Sequence, residues 1–139
     1  MDMARHDRPF PLRVLVAEDD DEMRALLASS LREDGHTVVE VRDGRELVAR
    51  TGPGPEGADA YDLIVSDVLM PGANGLSVLA RLQREANPPH IVVITAFGDD
   101  DLHDWAASIG AVATFDKPFD VDDLRTAVAN LLPRQPRGR

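Results

Sequence analysis

The 139-residue sequence contains no cysteine and few aromatic residues. Without cysteine, the chain can form no disulfides and offers no thiolate chemistry. One tryptophan, one tyrosine and four phenylalanines leave a core that must be built mainly from Val, Leu, Ile and Ala. No apolar run reaches membrane-spanning length, and residues 1–7 lack the apolar stretch of a signal peptide, so we expect a cytoplasmic protein.

Acidic residues outnumber basic ones by 25 to 15, which gives a formal net charge of −10. This excess argues against direct nucleic-acid binding by the chain itself, and nothing indicates membrane insertion. The length is that of one domain with a sizeable core. We expect an N-terminal extension over residues 1–11, the domain over 12–132, and a basic, disordered tail over 133–139. The loop at 52–57 is long for a helix–strand joint and carries no evident chemistry.

The apolar pattern alternates between strands and helices five times. The predicted strands are Arg13–Ala17, Thr37–Val41, Asp62–Ser66, His90–Thr95 and Ala111–Phe115. The segments between and after them repeat apolar residues at helical spacing, and Gly35 marks a helix end. Strands that alternate with helices predict an α/β fold, a doubly wound parallel sheet with helices on both faces.

Polar side chains follow three of these strands, at their carboxyl ends. Glu18 and Asp19 follow the first strand, Asp67 follows the third, and Lys117 follows the fifth. The carboxyl ends of parallel strands form the ligand-binding edge of such a sheet. Clustered carboxylates repel one another unless a cation joins them, and hard cations such as Mg²⁺ prefer oxygen ligands. An acid, a Mg²⁺ site and a lysine are the parts needed to place a phosphoryl group on Asp67.

Taken together, these residues resemble the receiver domain of bacterial two-component response regulators. The resemblance covers about Leu12 to Leu132 and implies a flavodoxin-like sheet of order 2-1-3-4-5. The matching pieces are Glu18-Asp19, the segment from Asp67 to Gly75, Thr95-Ala96 and Lys117-Pro118-Phe119. Any one piece is weak, but all four in this order are specific.

The resemblance implies a role for each residue of the site. The residues implied to bind Mg²⁺ (or Mn²⁺) are Asp19, Glu18 (directly or through water), Asp67 and the backbone carbonyl of Leu69. The residues implied to handle the phosphoryl group are Asp67 as acceptor, Lys117, the Thr95 hydroxyl and the Ala96 backbone N–H. The Lys117–Pro118 peptide is expected to be cis.

The function implied is a phosphorylation-controlled switch in a phosphorelay. The phosphoryl donor would be a phosphohistidine on a sensor histidine kinase or a histidine phosphotransfer protein. The 139-residue sequence ends about one helix after Lys117, and we expect no output domain but output through a partner protein. Such a switch is not an enzyme in the usual sense, since it catalyses only its own phosphorylation and dephosphorylation.

Three other functions stay open. A Mg²⁺-dependent phosphatase with an aspartyl nucleophile would carry a second acid two places after Asp67, where Leu69 stands. A flavin-binding module would need a phosphate loop where Glu18 and Asp19 lie. A degenerate receiver would act only as an interaction module, and the complete residue set argues against it.

One position departs from the family pattern. The family often has an aromatic residue three places before the lysine, and that position is Thr114 here. Phe115 is one place later and should point to the opposite face of the sheet. Because Thr114 has no ring, we expect phosphorylation to act without the change of an aromatic rotamer at this position.

Overall fold

The structure is a computed structural model that describes residues 11–52, 57, 60–68, 75–96 and 100–131. Strands and helices alternate along the described chain. The strands are β1 (Arg13–Ala17), β2 (Thr37–Val41), β3 (Leu63–Asp67), β4 (His90–Thr95) and β5 (Ala113–Asp116). The helices are α1 (Asp21–Glu33), α2 (Gly44–Arg50), α3 (Gly75–Leu82), α4 (Asp100–Ser108) and α5 (Val121–Ala129).

The five strands form one parallel sheet in the order β2-β1-β3-β4-β5. This confirms the predicted doubly wound α/β fold and its strand order. The central strand β3 is buried along its whole length. Strands covered by helices on both faces need apolar residues at consecutive positions, which explains the continuous apolar runs in the sequence.

A separate apolar core covers each face of the sheet. On one face Leu27 of α1 and Leu124 of α5 pack against alternate strand residues such as Val14. On the other face α2, α3 and α4 pack together, with Leu79 and Ala106 fully buried. Successive strand side chains point to opposite faces, so β1, β2, β3 and β4 contribute to both cores, whereas β5 contributes apolar residues to one.

Two strand boundaries differ from the prediction. β3 begins at Leu63 because the carboxylate of Asp62 accepts a hydrogen bond from the Arg13 N–H at 2.8 Å, in place of a backbone acceptor. β5 begins at Ala113 because the Ala111 N–H still bonds to the Ala106 carbonyl at 2.9 Å, which prolongs the turn after α4. The later end of β5 places Asp116 within the sheet.

Both ends of α1 are capped, and Gly35 ends the helix as predicted. Asp20 is the N-cap of α1, and its side chain accepts from the Met23 N–H at 3.0 Å. Gly35 adopts a φ of 95° after the same helix, a conformation that glycine tolerates without steric cost. Leu26 of the same helix is 46% exposed, whereas Leu27 and Leu31 are fully buried.

The structure also bears on the predicted cis peptide, the membrane-spanning potential and the terminal segments. The Lys117–Pro118 peptide is cis, as expected. Each described helix is too short or too polar to span a lipid bilayer. The N-terminal extension, the basic tail and most of the 52–57 loop lie outside the described residues, so the predictions about them stay predictions.

Candidate functional site

Three carboxylates converge at the carboxyl ends of β1 and β3. Glu18 and Asp19 directly follow β1, and Asp67 is the last residue of β3. Because these strands are neighbours in the sheet, one oxygen from each carboxylate lies within 4.8 Å of the others. Glu18 and Asp67 are buried, whereas Asp19 is exposed.

The backbone around Glu18 fixes its side chain. The Glu18 N–H donates to the Val41 carbonyl at 3.1 Å, and the Asp20 N–H donates to Glu18 Oε2 at 3.0 Å. Arg24 adds a hydrogen bond from Nη1 to the Glu18 carbonyl oxygen at 2.9 Å. The buried carboxylate is therefore held in one position at the end of β1.

Lys117 joins the two buried acids. Its Nζ lies 3.0 Å from Asp67 Oδ2 and 3.0 Å from Glu18 Oε2, and its side chain is only 23% exposed. The Lys117 N–H donates to the Thr95 carbonyl at 2.7 Å, which anchors the lysine to the end of β4. The ammonium is thereby fixed beside Asp67.

Thr95 ends β4 and is fully buried. Its hydroxyl donates to Asp116 Oδ1 at 2.5 Å, and His103 Nε2 of α4 lies 2.8 Å from the same oxygen. Ala96 follows directly in the chain. Leu69, whose carbonyl is the predicted backbone ligand, lies outside the described residues.

The model of the family described as the response regulator receiver domain matches residues 14–129. The chain belongs to this family. It is thus the receiver domain of a two-component response regulator, a phosphorylation-controlled signalling module. The resemblance predicted from the sequence is confirmed.

Two relatives and one solved structure illustrate the likeness. The receiver is 41% identical to the transcriptional regulatory protein TcrA of Mycobacterium tuberculosis over 127 residues, which cover 90% of this chain and 47% of TcrA. It is 27% identical to the sporulation initiation phosphotransferase F of Bacillus subtilis, covering 87% of this chain and 94% of that protein. The non-phosphorylated HemR receiver domain of Leptospira biflexa has the same fold, with a TM-score of 0.77, 22% identity, and coverage of 91% of this chain and 99% of that one.

The chain thus spans about half the length of TcrA. It spans nearly all of the phosphotransferase. Its relatives therefore include proteins of about the receiver's own length and proteins about twice as long.

Burial and pairing set the charges of the receiver's acidic site. Burial raises the pKa of Glu18, against the lowering effect of hydrogen bonds from Asp20 and Lys117, and the nearby charge of Asp67 raises it further. Burial alone would lower the pKa of Lys117, but its hydrogen bonds to Glu18 and Asp67 outweigh that effect and raise it. The lysine is therefore firmly cationic between the two acids.

The carboxylate set has the chemistry of a divalent-cation site. Glu18 Oε1 lies 2.9 Å from Lys117 Nζ, yet it has no hydrogen bond of acceptable geometry, alone in this respect among the buried side-chain polar atoms of the described residues. The oxygen therefore keeps lone pairs that a metal ion could use. Together with the oxygens of Asp19 and Asp67, it offers the hard ligands that Mg²⁺ prefers.

Sequence reasoning missed Asp116 and His103. The sequence pattern gives Asp116 no role beyond preceding Lys117, and the histidines show no ligand spacing. Their contact depends on Asp116 lying opposite Thr95 in the β4–β5 register, and on α4 crossing that point. A carboxylate immediately before the site lysine was the available signal, but the sequence could not supply its partners.

Proposed function

We propose that the receiver accepts a phosphoryl group on Asp67 in the presence of a divalent cation. The observation that carries this proposal is the contact of the Lys117 ammonium with Asp67 Oδ2 at 3.0 Å, beside two further carboxylates. Asp67 is only 3% exposed, so its carboxylate is fixed at the strand end instead of being solvated freely. Positioning and charge neutralisation are what phosphoryl transfer chiefly requires.

The transfer step is a displacement at phosphorus. An oxygen of the Asp67 carboxylate forms the new bond to phosphorus while the bond from phosphorus to the donor's imidazole nitrogen breaks. The imidazole nitrogen keeps the electron pair and is then protonated. Lys117 is already within hydrogen-bond distance of Asp67, and it would pair with a phosphoryl oxygen as negative charge accumulates there.

Thr95 is the last residue of the neighbouring strand β4, and Ala96 follows it. Asp67 pairs with Ile94 in the ladder, so Thr95 lies one residue beyond the register position of the acceptor. In the family, the Thr95 hydroxyl and the Ala96 backbone N–H would donate to phosphoryl oxygens. Both groups are donors, which suits an oxyanion.

Glu18, Asp19 and Asp67 are the side chains that would hold Mg²⁺ or Mn²⁺, with the Leu69 carbonyl as a further ligand. Receivers of this family bind Mg²⁺ at an acidic pocket, and the three carboxylates here form such a pocket. A bound divalent cation would offset the repulsion between these acids and an incoming phosphoryl group. Asp19 is exposed and so stays accessible to an ion from solvent.

The donor and the output belong to partner proteins. Receivers of this family interact with histidine kinases and output partners. We propose that the donor here is a phosphohistidine on a sensor kinase or a histidine phosphotransfer protein. For output we propose a partner protein that recognises the phosphorylated surface.

A labelling experiment with a small acyl phosphate tests the acceptor. Wild-type protein should gain one phosphoryl mass with acetyl phosphate and Mg²⁺, and none with EDTA. Asp67→Asn should abolish the gain. Asp62→Asn is the matched control, because Asp62 precedes β3 at the opposite end of the strand and should label like wild type. Labelling of Asp67→Asn at the wild-type level would contradict the proposal.

A phosphate ester assay separates the receiver from an aspartyl phosphatase. We propose that the protein catalyses only its own phosphorylation and dephosphorylation. Leu69, two places after Asp67, has no proton to transfer to a leaving group. Sustained Mg²⁺-dependent hydrolysis of p-nitrophenyl phosphate, lost in Asp67→Asn, would instead favour the phosphatase.

A further inference from the structure

A second polar cluster lies beside the acidic site. Oδ1 of Asp116 accepts a hydrogen bond from the Thr95 hydroxyl at 2.5 Å and lies 2.8 Å from His103 Nε2. One carboxylate oxygen therefore contacts both the hydroxyl proposed to bind the phosphoryl group and a side chain of α4.

The fold builds this cluster from the β4–β5 ladder. Thr95 and Asp116 are partners in the register, and the Lys117 N–H donates to the Thr95 carbonyl at 2.7 Å. Val93, two residues before Thr95, belongs to the core that α4 covers. Since alternate strand residues share a face, Thr95 and its partner Asp116 point toward α4, where His103 meets them.

The Thr95 hydroxyl has a single proton to donate. In the structure that proton is directed to Asp116, yet the proposed function requires it at a phosphoryl oxygen. We propose that Asp116, backed by His103, is a positioning residue that holds the Thr95 hydroxyl in the unphosphorylated receiver and competes with the phosphoryl group for its proton. This inference rests on the proposed function of Asp67.

The ion pair of His103 and Asp116 is too exposed to serve only the stability of the fold. The side chains of His103 and Asp116 are 37% and 40% exposed, and exposed ion pairs contribute little to folding. The hydrogen bond from Thr95, and then that from His103, lowers the pKa of the Asp116 carboxyl. Asp116 is therefore an ionised acceptor, which attracts a hydroxyl proton more strongly than a neutral one.

The same contact links the acidic site to α4. When Thr95 turns to the phosphoryl group, Asp116 loses one hydrogen bond and His103 becomes its remaining described partner. A change in the Thr95 hydrogen bond thereby alters the contact between Asp116 and His103 on α4. Thr114 stands where many receivers have an aromatic ring, so this polar contact offers a route that needs no ring movement.

A thermodynamic cycle tests the competition. Beryllofluoride, a non-covalent phosphoryl analogue, is titrated with Mg²⁺ while the fluorescence of Trp105, the sole tryptophan, is recorded. Asp116→Ala should bind it about tenfold more tightly than wild type, the size expected when a hydrogen bond to a charged acceptor no longer has to be broken. In a Thr95→Val background the same substitution should change affinity less than about twofold.

Two controls separate this competition from general charge effects. Asp104→Ala removes a negative charge from α4 without touching Thr95, and it should leave affinity within about twofold of wild type. Thr95→Ser restores a hydroxyl, so the effect of Asp116→Ala should return. An equal gain from Asp116→Ala in the wild-type and Thr95→Val backgrounds, or no gain in either, would overturn the proposal.

An NMR titration of His103 tests the contact without any phosphoryl analogue. Hydrogen bonding to Asp116 raises the pKa of His103, and the charges of Asp100 and Asp104 on α4 raise it as well. Asp116→Asn should lower the His103 pKa, and an unchanged value would refute the cluster. Failure of the wild-type protein to bind beryllofluoride with Mg²⁺, with a normal His103 response, would count against the proposed function instead.

Discussion

Replacing Lys117 by methionine should destabilise the receiver in the absence of divalent cations. Lys117 Nζ lies within 3.0 Å of both Glu18 and Asp67, and these acids are 0% and 3% exposed. Methionine keeps much of the side-chain volume but removes the charge, so two buried carboxylates would face each other without a cation. The variant thus isolates the electrostatic contribution of the ammonium.

The expected loss of stability follows from the burial of Glu18 and Asp67 beside the ammonium. Removing one partner of a buried ion pair costs about 3–5 kcal/mol, because the remaining charge is left uncompensated. The lysine side chain is itself 23% exposed, which gives water some access to the gap. We therefore expect a loss near the lower end of that range, about 3 kcal/mol in the free energy of unfolding.

Urea unfolding at pH 7 with EDTA is the assay. Arg125→Met is the matched control, since Arg125 pairs with Asp34 at 3.0 and 2.6 Å on the surface and should matter much less. Mg²⁺ binds only the folded site, and it should bind more tightly where the competing ammonium is absent, so adding it should recover part of the loss in Lys117→Met. A loss of stability in Lys117→Met no larger than that of the control, or a loss that Mg²⁺ leaves unchanged, would contradict this expectation.

Three further predictions follow from particular residues. Asp19→Asn should weaken Mg²⁺ binding more than Asp20→Asn in calorimetric titrations, because Asp20 serves as the N-cap of α1, and equal losses would remove the distinction. Burial lowers the pKa of His36, so the uncharged imidazole has its full stabilising effect above the unfolded value of 6.5, and this effect is lost as pH falls through the lower folded pKa. His36→Asn should therefore flatten the loss of stability at acid pH in urea unfolding, and a pH profile identical to that of wild type would contradict this. The Phe115 ring packs 5.4 Å from the ring of Phe119, so its NMR signals should show no rotamer change on phosphorylation, and a ring flip would refute the expectation of switching without one.

Much of the fold could be predicted because parallel strands buried on both faces leave a plain apolar signature. The runs at β1, β2 and β4 gave correct bounds, since each is framed by polar or turn residues. β3 and β5 shifted by one or two residues because hydrogen bonds of Asp62 and Ala111 decide where each ladder starts. Such bonds depend on the neighbouring chain and are invisible in a single sequence.

The candidate site was predictable to the extent that its residues follow strand ends. Glu18, Asp19, Asp67 and Lys117 meet because their strands are adjacent. The contact of Asp116 with Thr95 and His103 could not be inferred, because it joins three elements through register and helix placement. Composition also could not show that Glu18 is fully buried, since acids are mostly exposed.

Chemical mapping of the phosphoryl group tests the acceptor role of Asp67 most directly. After incubation with acetyl phosphate and Mg²⁺, borohydride reduction converts an aspartyl phosphate to homoserine, which tandem mass spectrometry can locate. We predict homoserine at position 67 alone, and only in samples that contained the divalent cation. Phosphate recovered on a serine, threonine or histidine, or homoserine at a different aspartate, would contradict the account.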